Sequence, residues 1–250
     1  MLRRIFYLHK IGICGHFGKG KQIIDGQTIK TRILKEELAR KIGESQIKIV
    51  DTYGWKKRPL NLFFECLKLI GRCENVIIMP NQNGLKIFLP LFIISNLLFD
   101  RKIHYVVIGG WLPEYLQINK KLLKYIKRLH SIHVESYSMK KQLENLGISN
   151  VFYLPNTKRL NVLTKDQLIY NHGVPYKLCT FSRVMKEKGI EVAINAVRNL
   201  NNKFNKQVYN LDIYGPIDPS YEPRFLKLIN DNKESVRYKG IIPHDKSVET

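Results

Sequence analysis

Two short stretches concentrate residue types that can do chemistry. The first is Gly12-Ile13-Cys14-Gly15-His16-Phe17-Gly18-Lys19-Gly20-Lys21, followed by Ile24-Asp25-Gly26-Gln27-Thr28 where a helical pattern begins. Glycines let a ligand approach the backbone, and a helix start at the carboxyl end of a strand offers free N–H groups to an anion. A diphosphate or a sugar over Gly26 is one reading, and a glycine-rich surface loop is the other. The second stretch is Thr180-Phe181-Ser182-Arg183-Val184-Met185-Lys186-Glu187-Lys188-Gly189-Ile190, which leads from a strand into a helix. Arg183 brings a planar fork of donors and Lys188 a compact charge, and two such cations at a strand end can converge on a diphosphate. On spacing alone a solvated basic turn remains open.

Several chemistries are excluded by what stands next to these residues. Gly15 to Lys21 nearly spells a nucleoside-triphosphate loop, but Gln22 occupies the position of the magnesium-binding hydroxyl. The dinucleotide fingerprint fails because Ile23 replaces its third glycine. Cys14, Cys66, Cys73 and Cys179 match no zinc spacing and form no C-x-x-C pair, so buried thiols in a reducing cytosol are expected. His130 and His133, three apart, could share a helix face but lack a third ligand, and are read as structural.

The 250 residues are 44% hydrophobic and 10% aromatic, enough for a packed core and too apolar for a disordered chain. Lys and Arg outnumber Asp and Glu by 42 to 21, a formal charge of +21. Phosphate-bearing ligands, anionic lipid headgroups and nucleic acid are the partners such a field would concentrate; a lysine-rich composition without functional meaning is the alternative. The opening ten residues carry too short an apolar run for a signal peptide and read as a first strand. Residues 87–99 fall well short of the roughly 20 apolar residues of a membrane span and read as a buried helix.

These residues must be held by alternating elements. Strand patterns cover residues 4–11, 46–52, 75–79, 103–108, 131–134 and 150–154, and helical patterns 27–42, 60–70, 85–99, 116–129 and 138–146 fall between them. Connections of that length favour parallel β-α-β units in an open, doubly wound sheet. After a polar stretch ending at Gly173 and Pro175 a second series begins, with strands at 177–181, 207–214 and 235–238 and helices at 187–200 and 221–231. The expected organisation is a complete Rossmann-like domain over residues 1–156, a linker over 157–175 and a partial second Rossmann-like domain over 176–250. Of the 42 basic residues, 26 precede position 157, against 11 of the 21 acidic ones, so the first unit carries most of the positive charge.

In order and spacing, Ser182-Arg183, Glu187-Lys188-Gly189 and the helix after them resemble the donor-side segment of family 4 glycosyltransferases. The resemblance extends to Asp25-Gly26-Gln27-Thr28, to Val151-Phe152-Tyr153-Leu154-Pro155-Asn156 and to Leu211-Asp212-Ile213-Tyr214-Gly215, and so to nearly the whole chain. It implies a GT-B fold, with an acceptor mostly on the first domain and a nucleoside diphosphate sugar mostly on the second. It implies transfer with retention at the anomeric carbon, without a metal or another cofactor. By matching positions, Arg183 and Lys188 would hold the diphosphate and stabilise its departure, with Gly26 and Gly215 on the donor. Gly18, Lys19, Gly110 and Trp111 are the acceptor-side candidates, and Trp111 could equally be core packing.

The implied acceptor is a glycan or a lipid-linked saccharide in surface polysaccharide assembly. The implied place is the cytoplasm, with peripheral contact to the anionic inner face of the membrane through the basic, amphipathic pattern at 116–129. Gly109-Gly110-Trp111 stands where many relatives carry a histidine, and the family's two-glutamate motif is not matched before Thr250. A chain cut within its donor domain, or an inactive relative, is therefore an expectation of its own. A nucleic-acid-binding protein is the reading from another class. It would call for aromatics interleaved with basic residues in a recognisable module, and no such module is present.

Overall fold

Apolar runs of strand length, separated by amphipathic repeats, can pair in parallel only if each repeat crosses back over the sheet. The computed structural model describes residues 9–18, 20, 26–157, 164–167 and 173–242. It divides into two compact units, residues 1–158 and 159–250.

The first unit is a parallel sheet of β1 (His9–Gly15), β2 (Ile47–Asp51), β3 (Cys73–Ile78), β4 (Lys102–Val106), β5 (Ser131–Val134) and β6 (Val151–Tyr153). Their order is β2-β1-β3-β4-β5-β6, so the winding reverses between β1 and β3. The carboxyl ends beside that reversal are where open α/β sheets bind ligands. One face is covered by α2 (Pro59–Arg72), α3 (Gln82–Phe99), α4 (Leu112–Ile118), α5 (Lys120–Ile126) and α6 (Tyr137–Asn145). Leu69, Leu89, Leu116, Ile126 and Leu143 from these helices lie in one buried cluster with Val76, Ile103 and Ile132 of the sheet. On the opposite face α1 (Gly26–Ile42) packs Leu34, Leu38 and Ala39 over Ile13, Ile47 and Ile77. The β4–β6 half of that face carries the half-buried His104 and His133 and the exposed Phe152.

The second unit is a parallel sheet ordered β7 (Tyr176–Phe181), β8 (Tyr209–Tyr214), β9 (Val236–Gly240). Ile190, Ile194 and Val197 of α7 (Ile190–Lys203) and Phe225 and Leu228 of α8 (Glu222–Asp231) pack with Leu211, Ile213 and Val236 in its core.

The structure corrects several expectations. The first strand was expected at 4–11; the described strand runs from His9 to Gly15, and residues 4–8 lie outside the described residues. Gly12 and Gly15 therefore belong to the strand and not to a loop. A Cβ on Gly12 would come within 2.8 Å of Leu69, and one on Gly15 within 2.8 Å of Thr31, so these glycines admit helices against the strand. The single helix expected at 116–129 is two, because the backbone leaves helical angles at Asn119. His133 lies on β5, with His130 just ahead of it, and not on a helix. The helix expected from 187 begins at Ile190, after a short 3-10 turn, Lys186–Lys188, and a left-handed Gly189. Residues 87–99 are helical, but Ile87, Ile94, Leu97 and Leu98 are exposed. Cys14, Cys66 and Cys73 are buried as expected, whereas Cys179 is exposed.

Candidate functional site

In the first unit, the carboxyl ends of the strands carry a fixed polar array. The Asp51 carboxylate accepts from the backbone N–H groups of Phe17 and Tyr53, both at 2.9 Å. Arg32, on α1, donates to the carbonyls of Phe17 at 2.8 Å and Gly18 at 3.2 Å. The turn that leaves β1 is thus held from both sides, with Gly18 buried at a φ of 59° that suits glycine. His16 Nδ1 lies 2.7 Å from the hydroxyl of the buried Thr28, and its ring meets Tyr53 edge-on at 5.4 Å. Gln27 donates to the carbonyl of Met79 at 3.1 Å, tying the start of α1 to the end of β3.

Beside this lies a pair that the sequence reading did not single out. Lys30 reaches Glu135 at 2.6 Å, with side chains 13% and 17% exposed. Lys30 also donates to the carbonyl of Val107 at 3.2 Å, and Glu135 accepts from the N–H of Gly109 at 3.3 Å. Elements that are far apart in sequence meet here, the first helix with the ends of β4 and β5. The only advance signal was position, since Glu135 directly follows β5.

Among the acceptor-side candidates, Gly110 opens to free space. Trp111 spends its indole N–H on the carbonyl of Ile108 at 2.8 Å, meets Tyr115 edge-on at 5.4 Å and packs against the core. Gly26 is exposed at the start of α1, where a Cβ would meet nothing within 4 Å. Gly18, Gly26, Gly110 and Trp111 all stand at the carboxyl edge of the first sheet. Lys19 lies outside the described residues.

Two buried thiols of the first sheet, Cys14 towards the carboxyl end of β1 and Cys73 at the amino end of β3, are held in the protonated form. The Cys14 thiol is pushed up, first by its contact with Cys66 at 3.9 Å and then by burial, and burial raises Cys73 to about 11. Among the described residues, no group of three or more His, Cys, Asp or Glu is placed to hold a metal ion.

In the second unit, Arg183 and Gly215 come together at the ends of β7 and β8. Gly215 has a φ of 134°, and a Cβ there would lie 1.9 Å from the carbonyl oxygen of Ser182, so no other residue fits without displacing the backbone. The N–H of Val184 donates to Pro216 at 2.8 Å and that of Asp218 to Val184 at 2.9 Å, which locks the turn after β8 onto the turn after β7. Asp218 faces Arg183 at 3.0 Å and accepts from the Ser220 hydroxyl at 2.6 Å. The Ser220 hydrogen bonds first, and the Arg183 charge after them, hold the Asp218 carboxyl below the usual carboxylate range. Tyr238 donates to the carbonyl of Gly215 at 2.8 Å, adding β9 to the same corner. Lys188 is exposed in the turn ahead of α7.

This corner sets the Arg183 guanidinium, ion-paired to Asp218, at the carboxyl ends of parallel strands, the end of an open α/β sheet at which ligands bind. The fold is that of the GT-B glycosyltransferases, in two parallel α/β units. No family model matches the sequence, and no curated protein is significantly similar to it. HepE of Anabaena, solved in complex with UDP, is similar in structure at a TM-score of 0.61 and 11% identity, over 94% of this chain and 70% of that one. A TarM variant of S. aureus, in complex with fondaparinux, alpha-GlcNAc-glycerol and UDP, gives a TM-score of 0.50 at 16% identity over 72% of this chain. The pneumococcal O-GlcNAc transferase GtfA, in complex with UDP and GlcNAc, gives 0.52 at 14% over 75%. The chain spans 37% of the length of TarM and 38% of that of GtfA.

Proposed function

We propose that this chain belongs to a retaining glycosyltransferase of the family 4 type, which takes its sugar from a nucleoside diphosphate sugar. The observation that carries the proposal is Arg183, fixed by Asp218 beside Gly215 at the end of the first strand of the second sheet. As the bond between the anomeric carbon and the phosphate oxygen breaks, its electron pair moves onto the diphosphate. Arg183, held by Asp218, and the exposed Lys188 are the cations assigned to that growing charge. The acceptor hydroxyl oxygen bonds to the anomeric carbon on the face the diphosphate leaves, and its proton passes to the departing group. Residues 176–250 are read as the donor side and residues 1–156 as the acceptor side.

On the acceptor side the Lys30–Glu135 pair, Gly110 and Trp111 border the space for a glycan or a lipid-linked saccharide. The proposed setting is surface polysaccharide assembly at the cytoplasmic face of the membrane. UDP bound to three of the similar structures supports the donor class.

Calorimetric titration with UDP tests the donor assignment. Binding by the native protein and a loss of tenfold or more in Arg183→Ala are expected, and equal binding by the two would overturn the assignment. In an active chain the same substitution is expected to lower kcat roughly 10²-fold, as for other groups that stabilise developing charge.

A further inference from the structure

We propose that the outer face of α2 and α3 is a docking surface for an anionic lipid bilayer. Single exposed apolar side chains are ordinary on a protein, but a contiguous patch is not. Here Leu60, Phe63 and Phe64 of α2 and Ile87, Ile94 and Leu98 of α3 are exposed, with Leu60 at 73% and Leu98 at 78%. The spacing of 87, 94 and 98, and of 60 and 64, puts each set along one line of its helix. The helices lie side by side. A Cβ on Gly71 near the end of α2 would be 3.4 Å from the Phe99 ring at the end of α3, and Trp55 just ahead of α2 meets Phe88 edge-on at 6.1 Å.

By length and composition α3 is able to cross a membrane. Its opposite face, however, buries Leu85, Leu89 and Phe92 against the sheet. It can therefore lie on a bilayer with its outer line submerged, as interfacial amphipathic helices do.

The charge around the patch selects the occupant. Exposed Lys56, Lys57, Lys68 and Lys86 border it. Glu65, the one acid within either helix, is paired with Arg58 at 3.5 Å. Beside α2 a groove of about 560 Å³ is lined by Lys48, Arg58, Lys68 and Arg72 against Asp51 and Glu65, a surplus of positive charge. Cations around an apolar patch match anionic headgroups above acyl chains. A second copy of the chain would instead bring like charges together.

The test is co-sedimentation of the full chain with phosphatidylcholine vesicles containing about 30% phosphatidylglycerol, and with phosphatidylcholine alone. Binding to the anionic vesicles is expected. In the triple variant Leu60→Ser, Phe64→Ser, Leu98→Ser it should fall at least tenfold with unchanged circular dichroism and Tm, because all three positions are exposed. Neutralising Lys56, Lys57 and Lys68 to Gln should remove the preference for anionic lipid. The proposal is overturned if the native protein ignores both vesicles, or if the triple variant binds like the native protein. It also fails if neutralising Lys120, Lys121 and Lys124 on α5 alone abolishes binding, or if the triple variant merely dissolves a dimer. Vesicle binding and UDP binding are separate readouts, so this proposal stands or falls independently of sugar transfer.

Discussion

Arg183 is more than half exposed, yet it is not left to wander, because Asp218 holds it at 3.0 Å and is itself held by Ser220. A cation positioned in this way can meet a diphosphate without first losing the freedom of its side chain. At the same scale, the histidines of the first unit carry a pH dependence. His104 Nδ1 lies 2.7 Å from the Ser131 hydroxyl, which in turn lies 2.8 Å from His133 Nε2, and the His104 ring meets His130 at 5.1 Å. Burial first, then the neighbouring His130, His133 and Lys102, lowers the His104 pKa to about 4. Burial and Lys30 lower that of His133 as well. Between the ordinary value of about 6.5 and pH 4 the unfolded chain binds a proton that the folded chain refuses, so stability is lost as pH falls through that window. The Tm should drop between pH 6.5 and 5, and His104→Asn should flatten that slope; an equal slope in the variant would refute it.

At the scale of elements, a few side chains decide where helices and strands begin. Asn201 near the end of α7 accepts from the N–H groups of Val208 and Tyr209, both at 2.9 Å, and donates to the carbonyl of Tyr209 at 2.9 Å. One amide thus joins a helix end to the start of the next strand. Asn201→Ala leaves two backbone donors without a partner and is expected to cost roughly 1–3 kcal/mol of stability, with Asn201→Asp losing less because it keeps the acceptor. Chemical denaturation of both variants checks the order.

The existence and type of most elements were legible because period and length fix them, and β5 agrees at both ends: it was expected at 131–134 and is Ser131–Val134. The misses have local causes. The helix expected across 116–129 stops at Asn119, whose amide folds back onto the carbonyl of Tyr115 at 2.8 Å. The helix expected from 187 waits for Gly189, which takes up a left-handed conformation at φ 68°.

At the scale of the whole molecule, a net charge of +21 concentrates any polyanion near the surface. Retention on random duplex DNA is expected to be sequence-blind and to fall steeply with salt, by about 10³-fold or more between 50 and 200 mM if six or more phosphates are neutralised. The proposed UDP binding, which would rest on a few groups, should change far less over the same range. Fluorescence anisotropy with two unrelated duplexes, set against UDP titration at both salt concentrations, decides this. A sequence preference that survives high salt would contradict it.

The sequence by itself determined the α/β class, the parallel winding and the place of the strand-end turns, because hydrophobic period and crossover length are local properties of the chain. It also marked Arg183, Lys188 and the glycines as a group. Only the tertiary structure decided what those glycines face: Gly12 meets Leu69 and Gly215 meets Ser182, contacts over 57 and 33 positions that no local pattern encodes. The Lys30–Glu135 pair, 105 residues apart, and the shared outer face of α2 and α3 arise in the same way. The crossovers carry distant segments to one sheet edge or one helix layer, and the packing of the core then settles which side chains are left to meet there.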